Sequence, residues 1–211
     1  MRIIFSRHGN TFSPGETPIW VGAREDLPLV DSGIQQAKNL AYVIQQTGLT
    51  IKAVYCGPLK RTYDYANTIL NELHSPLKPI IDLRLNEIDY GDWSGLSNEE
   101  IRKKGDHVEL YAWENFCKWP KAANWLGSPH HMLDDIKSFA EDIVKKHIPE
   151  DTILVTTSNG RLRYFLQLVP NAFEQYIKDK SFKVATGNIC LLVYDKDWHI
   201  KFWNKKPESL L

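Results

Sequence analysis

The segment MRIIFSRHGNT (residues 1–11) contains a short apolar run that stops at a cluster of polar side chains. The run, residues 3–5, is typical of a buried strand, and it ends directly at Arg7-His8-Gly9. Residues 13–28 that follow are rich in Gly and Pro, which predicts a loop. The chain therefore places a guanidinium and an imidazole where a strand meets a loop.

This pattern of strand, turn and helix recurs along the chain. Apolar spacing predicts helices over residues 35–46, 59–73, 133–147 and 162–168, the first of them capped by Asp31 or Ser32. Strands are predicted over residues 51–56, 80–81 and 152–157, and a terminal hairpin over residues 188–194 and 199–203. Strands alternating with helices indicate a three-layer α/β/α fold: a mostly parallel sheet with helices on both faces and a C-terminal β-hairpin.

Length and tryptophan distribution bound the organisation of the chain. With 211 residues and neither an internal repeat nor a linker, we expect one domain over residues 1–211. Four of the seven tryptophans fall within residues 83–128, a stretch that otherwise looks like loop and short helix. We expect this stretch to act as a lid region.

Charge and cysteine usage exclude several functional classes. The 26 basic residues balance 26 acidic ones, so the excess of cations that nucleic-acid binding requires is missing. No apolar stretch is long enough to span a membrane, and no signal peptide is recognisable. The three cysteines form no C-x-x-C pair and are expected to be reduced. These features favour a cytoplasmic protein with neither nucleic-acid nor membrane partners.

The residues just after the predicted strands are the first candidates for a site, because ligands of open α/β sheets bind beyond the carboxyl ends of the strands. They include Arg7, His8, Arg61 and Asn159. Guanidinium groups and helix N-termini suit a phosphate dianion, and a neutral His8 beside it could attack phosphorus. No metal-ligand cluster or cofactor motif is apparent, and we expect neither; the adjacent His130 and His131 are better explained by a helix start.

Four segments carry a resemblance to a known family. They are residues 7–11 (RHGNT), 20–29 (WVGAREDLPL), 57–62 (GPLKRT) and 85–95 (LNEIDYGDWSG). In this order, at strand ends and loops, they resemble the histidine phosphatase superfamily, whose fold is that of phosphoglycerate mutase. The resemblance extends over nearly the whole chain.

The resemblance implies a role for each matching position. His8 would be the phosphorylated nucleophile, and Glu87 would donate a proton to the leaving oxygen and later accept one from water. Arg7 and Arg61 would bind and neutralise the phosphoryl oxygens. The remaining expected site residues are Asn10, Asn159 and Gly160 at the phosphate, and Thr11, Arg24 and Tyr90 on the substrate side. Arg24 could equally be the partner of a loop ion pair, and Tyr90 could simply pack.

One position departs from the family pattern. Where the family has a second pocket histidine, this chain has Asn159, which donates a hydrogen bond but carries no charge. A lost donor of this kind typically costs about 10²–10³ in rate unless another group compensates, and Arg161 or Arg163 could do so. A missing cation would also let His8 protonate more readily, which predicts an optimum at neutral or alkaline pH. Alternatively, Asn159 only caps a helix.

Three functions follow in order of preference. The first is a metal-independent phosphatase acting on a small phosphorylated metabolite or a phosphopeptide. The second is a phosphoglycerate-type mutase, which is disfavoured because residues 113–121 (WENFCKWPK) lack the paired arginines and the proline run of the mutases that this chain resembles. The third is a protein that binds a phosphorylated ligand with little or no turnover. A homodimer through the hairpin or a sheet edge stays open.

Overall fold

The computed structural model describes residues 1–211 and contains a single six-stranded sheet. The strands are β1 (Arg2–Arg7), β2 (Ile51–Cys56), β3 (Ile80–Ile81), β4 (Thr152–Thr157), β5 (Ile189–Asp195) and β6 (Asp197–Lys205). Their order across the sheet is β3-β2-β4-β1-β5-β6. The first four are parallel, whereas β5 and β6 form an antiparallel hairpin that joins the sheet beside β1. The carboxyl ends of β1, β2 and β4 therefore meet at one edge.

Seven α-helices connect and cover the strands. They are α1 (Asp31–Thr47), α2 (Lys60–Glu72), α3 (Asn98–Lys103), α4 (His107–Phe116), α5 (Pro129–Lys146), α6 (Asn159–Leu162) and α7 (Ala172–Lys178). The short α6 continues directly as a 3-10 helix over Arg163–Leu168. No helix is both long enough and apolar enough to cross a membrane.

Side-chain alternation along the central strands divides the core into two layers. Ile3 and Phe5 of β1 pack on one face of the sheet, with Phe139 of α5. Ile4 points to the opposite face and packs with residues of α1 and α2, among them Leu40. Since both faces are apolar and covered, the strands read as continuous hydrophobic runs, and the predicted three-layer α/β fold is confirmed.

The ends of three helices differ from the sequence prediction. The N-cap of α1 is Val30, which has no capping side chain, so neither Asp31 nor Ser32 caps this helix. Helix α5 begins at Pro129, earlier than predicted, because Ser128 caps it and proline is favourable at the first helical position. The predicted helix over residues 162–168 begins instead at Asn159 and changes to 3-10 geometry.

The tryptophans of residues 83–128 belong mostly to the main core. Trp93 and Trp113 are almost fully buried, and both contact Trp125 edge to face, with ring centroids 5.3 and 4.8 Å apart. This aromatic cluster packs with residues of β1 and α5 in the same hydrophobic layer. Residues 83–128 therefore pack against the rest of the chain. Some of their side chains also line a cavity at the carboxyl ends of the parallel strands.

Two glycines allow the first strand and the first helix to approach closely. Gly9 follows β1 and Gly33 lies in the first turn of α1, and a Cβ atom on either would overlap backbone atoms of the other segment. Val30 also donates a backbone hydrogen bond to the carbonyl of Asn10 at 3.1 Å. The start of helix α1 thus holds the loop that begins at His8.

We expect Gly33→Ala to destabilise the protein by about 1–3 kcal/mol, because the added methyl group would overlap the backbone of Asn10. In an unconstrained helix, replacing Gly by Ala would stabilise the protein by about 0.5–1 kcal/mol. The sign of the change in the free energy of unfolding therefore tests the close approach. Urea unfolding measures it. The control is Gln35→Ala, an exposed position of the same helix, with an expected change within about 0.5 kcal/mol. A stabilising Gly33→Ala would contradict the close approach.

Candidate active site

A cavity of about 730 Å³ opens at the carboxyl ends of the parallel strands. It is lined by most of the residues that the sequence predicted for a site: Arg7, His8, Asn10, Thr11, Arg61, Glu87, Tyr90 and Asn159. Two predicted residues, Arg24 and Gly160, do not line it. The topology accounts for this grouping, because three neighbouring strands end at the same edge.

The imidazole of His8 is buried and fixed in one orientation. Its backbone N–H donates to the carbonyl of Thr157 at 3.1 Å, which holds the end of β1 against β4. Its Nδ1 lies 2.8 Å from the carbonyl oxygen of Gly9. Because a carbonyl only accepts, we assign the proton to Nδ1, and this leaves the lone pair of Nε2 free.

Burial and two cations keep His8 neutral. Removal from solvent lowers the pKa of His8 well below 6.5, and the positive charges of Arg61 and Arg7 lower it further. The expectation that His8 protonates more readily here than it would beside a second pocket histidine stays a prediction. A neutral imidazole with a free Nε2 can act as a nucleophile at neutral pH.

Arg7 and Arg61 supply positive charge beside His8. Burial lowers the pKa of Arg7 to about 10, partly offset by the nearby Glu87, so the group remains a cation at pH 7. Nη1 of Arg7 donates to the carbonyl of Val184 at 2.8 Å. Val184 belongs to the segment that precedes β5, so this segment orients the guanidinium of Arg7.

Arg61 is nearly inaccessible and also organises the loop in front of it. Its Nη1 and Nη2 donate to the carbonyls of Glu25 and Gly22 at 2.9 and 2.8 Å. Burial lowers its pKa, and the negative charge of Glu87 opposes that effect. Although Arg61 belongs to the first turn of α2, it is not a surface residue, because it is only 2% exposed.

Arg163 is a third arginine on the cavity wall. It is buried, its guanidinium carbon lies 4.5 Å from the ring centroid of Trp113, and its Nε donates to the carbonyl of Asn159 at 3.2 Å. The same guanidinium carbon lies 5.1 Å from the ring centroid of Phe182. Stacking between two aromatic rings holds the charge in place without a carboxylate partner.

Arg161 points elsewhere and holds the segment that carries Glu87. Its Nε donates to the carbonyl of Asn86 and its Nη1 to Asp135 of α5, both at 2.8 Å. Of the two arginines that the sequence offered as replacements for the missing histidine, only Arg163 reaches the cavity.

The Glu87 carboxylate accepts three backbone hydrogen bonds, from Ile88 at 2.9 Å and from Gly160 and Arg161 at 3.1 Å. A side chain on Gly160 would overlap this carboxylate and the hydroxyl of Tyr90. The phosphate-binding role predicted for Gly160 is therefore corrected: its N–H is occupied by Glu87. Glu87 is 8% exposed, so its carboxylate is held inside the protein and not in solvent.

Asn159 faces the cavity with its amide in a defined orientation. The N–H of Val184 donates to its Oδ1 at 2.9 Å, so the NH₂ group is the end left for an anion. The N-cap of α6 is Ser158, and Asn159 is the first helical residue. The alternative in which Asn159 serves only as a helix cap is therefore wrong.

The other predicted residues divide between the wall and the surface. Asn10 is fixed by Ser32 at 3.1 Å and by the hydroxyl of Thr186, which donates to its side-chain oxygen. Tyr90 lines the cavity and also packs on Trp20, with the two ring centroids 4.8 Å apart. Burial raises the pKa of Tyr90 well above 10. Thr11 lies on the wall at the start of the loop.

Arg24 is not on the substrate side. Its Nε forms an ion pair with Asp89 at 2.8 Å, outside the cavity, which is the alternative that the sequence left open. The loop spacing could not decide this point, because it does not show which way the guanidinium turns.

Sequence reasoning missed the outer wall of the cavity. Phe12, Glu16 and Trp20 come from the loop after β1, and Glu114 comes from α4. The tryptophans of residues 83–128 indicated a cover on the side of α4, but no signal in the sequence showed that the loop after β1 turns these side chains inward.

Comparison with known proteins identifies the relatives of this chain. The family profile described as histidine phosphatase superfamily (branch 1) matches residues 3–206. A 2,3-bisphosphoglycerate-dependent phosphoglycerate mutase of Afipia carboxidovorans is 31% identical over 165 residues, which is 77% of this chain and 78% of the relative. Another, of Parvibaculum lavamentivorans, is 23% identical over 198 residues, or 92% and 90% of the two chains.

Solved structures share the fold at lower identity. A mycobacterial glucosyl-3-phosphoglycerate phosphatase in complex with VO3 is 21% identical, with a TM-score of 0.76 over 97% of this chain and 99% of its own. The α-ribazole phosphatase of Shigella flexneri is 23% identical, with a TM-score of 0.73 over 97% and 96%. Both names are those of phosphatases, whereas the two sequence relatives are mutases.

The geometry predicts that His8 keeps its Nδ1–H tautomer and titrates with a midpoint below 6.5, because burial and the charges of Arg61 and Arg7 lower its pKa. Long-range ¹H–¹⁵N correlation spectra of the labelled protein measure this, with His8→Gln to assign the ring signals. Protonation of His8 with a midpoint at or above 6.5, or an Nε2–H tautomer, would contradict the assignment of Nε2 as the free nitrogen.

Proposed function

The chain belongs to the histidine phosphatase superfamily, and we propose that it is a phosphatase that hydrolyses a phosphomonoester through a phosphohistidine on His8. One observation carries this proposal: a neutral imidazole with its Nε2 free lies in a cavity beside the cations Arg7 and Arg61. A binding pocket for phosphate alone needs the cations but has no use for a nucleophile.

The proposed reaction has two steps. The first step requires Glu87 in its protonated form: the Nε2 lone pair of His8 attacks phosphorus, and the bond from phosphorus to the ester oxygen breaks while Glu87 gives its proton to that oxygen and becomes a carboxylate. Water then attacks the phosphorus, Glu87 accepts a proton from it, and the bond between Nε2 and phosphorus breaks to release inorganic phosphate. Arg7 and Arg61 stabilise the charge on the phosphoryl oxygens in both steps.

The three backbone donors to Glu87 support its part as the base of the second step, because they orient the carboxylate. They hold both carboxylate oxygens, so the group has little freedom to move between the steps. A fixed acid and base reduces the reorganisation that each proton transfer requires. Arg161, through Asn86 and Asp135, acts on the same segment and would help to position it.

Mutase activity is the second candidate, and the names of the sequence relatives favour it. A phosphoglycerate carries a carboxylate that needs a cation of its own beyond the phosphate site. The segment in question, residues 113–121, instead contributes Trp113 and Glu114 to the cavity. This lining supports hydrolysis over transfer between phosphoglycerates.

The test is steady-state turnover of 4-nitrophenyl phosphate and of 3-phosphoglycerate by the purified protein. We expect phosphate release from the aryl ester, a loss of at least about 10³ in kcat for His8→Ala, and a loss of about 10²–10⁴ for Glu87→Gln. Arg102→Gln, an exposed position of α3, serves as control. Isomerisation of phosphoglycerate without net phosphate release would favour the mutase. Binding of vanadate without turnover of either substrate would contradict the proposal.

A second prediction concerns the charge that Asn159 lacks. We propose that Arg163 supplies it, because its guanidinium lines the cavity and contacts the backbone of Asn159. Arg163→Gln should therefore lower kcat by about 10²-fold. Asn159→His should raise kcat only slightly in the parent protein and by at least about tenfold in the Arg163→Gln background, since the two cations replace each other.

Thermal unfolding of each variant shows whether the buried Arg163 can be replaced without loss of fold, and Arg163→Lys keeps the charge if it cannot. Equal effects of Asn159→His in both backgrounds would contradict the compensation and leave Arg163 as a packing residue.

A further inference from the structure

The cavity is larger than a phosphate group requires. Its volume of about 730 Å³ lies in the range of sites that enclose an organic ligand of some size. Its inner part holds the buried His8, Arg61 and Arg163, whereas its outer part is formed by the exposed loop over residues 13–18 and by α4. The outer part must therefore receive the alcohol portion of the ester.

The outer part offers no free cation. Its charged lining residues are Glu16 and Glu114. Lys183 lies next to Glu114 but forms an ion pair with it, and Arg24 is turned away towards Asp89. A carboxylate brought into this space would meet the charge of Glu16, which has no ion-pair partner, and would find no free cation to bind it.

The same part of the cavity is rich in aromatic surface. Phe12 and Trp20 both line it, and both are only partly buried. The indole N–H of Trp20 is already used, because it donates to Asn98 at 2.6 Å. The contact that Trp20 can make is therefore through its ring, which suits a flat apolar group or a cation.

From this lining we propose that the protein selects phosphomonoesters whose alcohol portion is flat and apolar, neutral or positively charged, and that it discriminates against esters with a carboxylate. The inference rests on the proposed phosphatase function for its kinetic consequences, but the selection itself belongs to binding. It also separates this site from one built for phosphoglycerate.

Three esters with closely similar leaving groups test the selection. They are the phosphates of 4-ethylphenol, of tyramine and of 3-(4-hydroxyphenyl)propanoate, which are neutral, cationic and anionic in the side chain. We expect kcat/KM for the anionic ester to be at least about tenfold below that of the neutral one, and the cationic ester to equal or exceed the neutral one.

Binding separates failure of the inference from failure of the proposed function. The three matching benzylphosphonates, which cannot be hydrolysed, are titrated calorimetrically into the wild-type protein, and their dissociation constants should follow the same order. If no ester is turned over but the order of binding holds, the phosphatase function fails and the selection stands. If the esters are turned over and the anionic one is bound or hydrolysed as well as the neutral one, the selection is wrong.

Substitutions in the outer part of the cavity test which residues cause the preference for the neutral ester. Glu114→Gln and Glu16→Gln should each reduce the preference for the neutral over the anionic ester severalfold, because each removes a negative charge from the outer wall. Glu150→Gln is the matched control, since Glu150 is exposed and precedes β4, at the opposite edge of the sheet. Phe12→Ala should lower kcat/KM for 4-ethylphenyl phosphate more than for glycerol 1-phosphate. An unchanged preference in both glutamate variants would contradict the assignment.

Discussion

The hydrogen bond from Nδ1 of His8 to the carbonyl of Gly9 is the contact on which the candidate site depends. It exists because β1 ends at Arg7 and the chain then passes close to α1, where Gly9 and Gly33 allow the two backbones to touch. With Nδ1 occupied as donor, Nε2 is the nitrogen that can react. If the ring were rotated or the loop displaced, the chain would still contain the same residues, but His8 would not present a free nitrogen to the cavity.

Charge is balanced locally as well as over the whole chain. Three arginines and three glutamates line the cavity, but they are not mixed: Arg7, Arg61 and Arg163 surround the inner end with Glu87, whereas Glu16 and Glu114 lie on the outer wall. The arginines are oriented mainly by backbone carbonyls or aromatic rings, which hold them without neutralising them. Their charge therefore remains available to an anion, and burial together with the charges of Arg61 and Arg7 lowers the pKa of His8.

The sequence predicted the fold and the inner site because both follow from periodicity and strand ends. The bounds of β2 and β4 match the prediction, and the side chains after them meet because parallel strands share an edge. It could not decide between Arg161 and Arg163, because their orientations depend on distant partners, Asp135 of α5 for Arg161 and Trp113 of α4 for Arg163. The acidic outer wall escaped prediction for a similar reason: the path of the loop after β1 is fixed by long-range contacts, such as those of Arg61 with Gly22 and Glu25.

The central claim is that the Nε2 nitrogen of His8 becomes covalently bonded to phosphorus. Rapid quenching under alkaline conditions during turnover of 4-nitrophenyl phosphate, followed by ³¹P NMR and mass spectrometry of the digested protein, tests it directly. We expect phosphate on the peptide that contains His8, with the signal of an Nε2-substituted imidazole, and no such signal in His8→Ala. Turnover without any phosphorylated histidine, or phosphate on Nδ1 or on another residue, would contradict it.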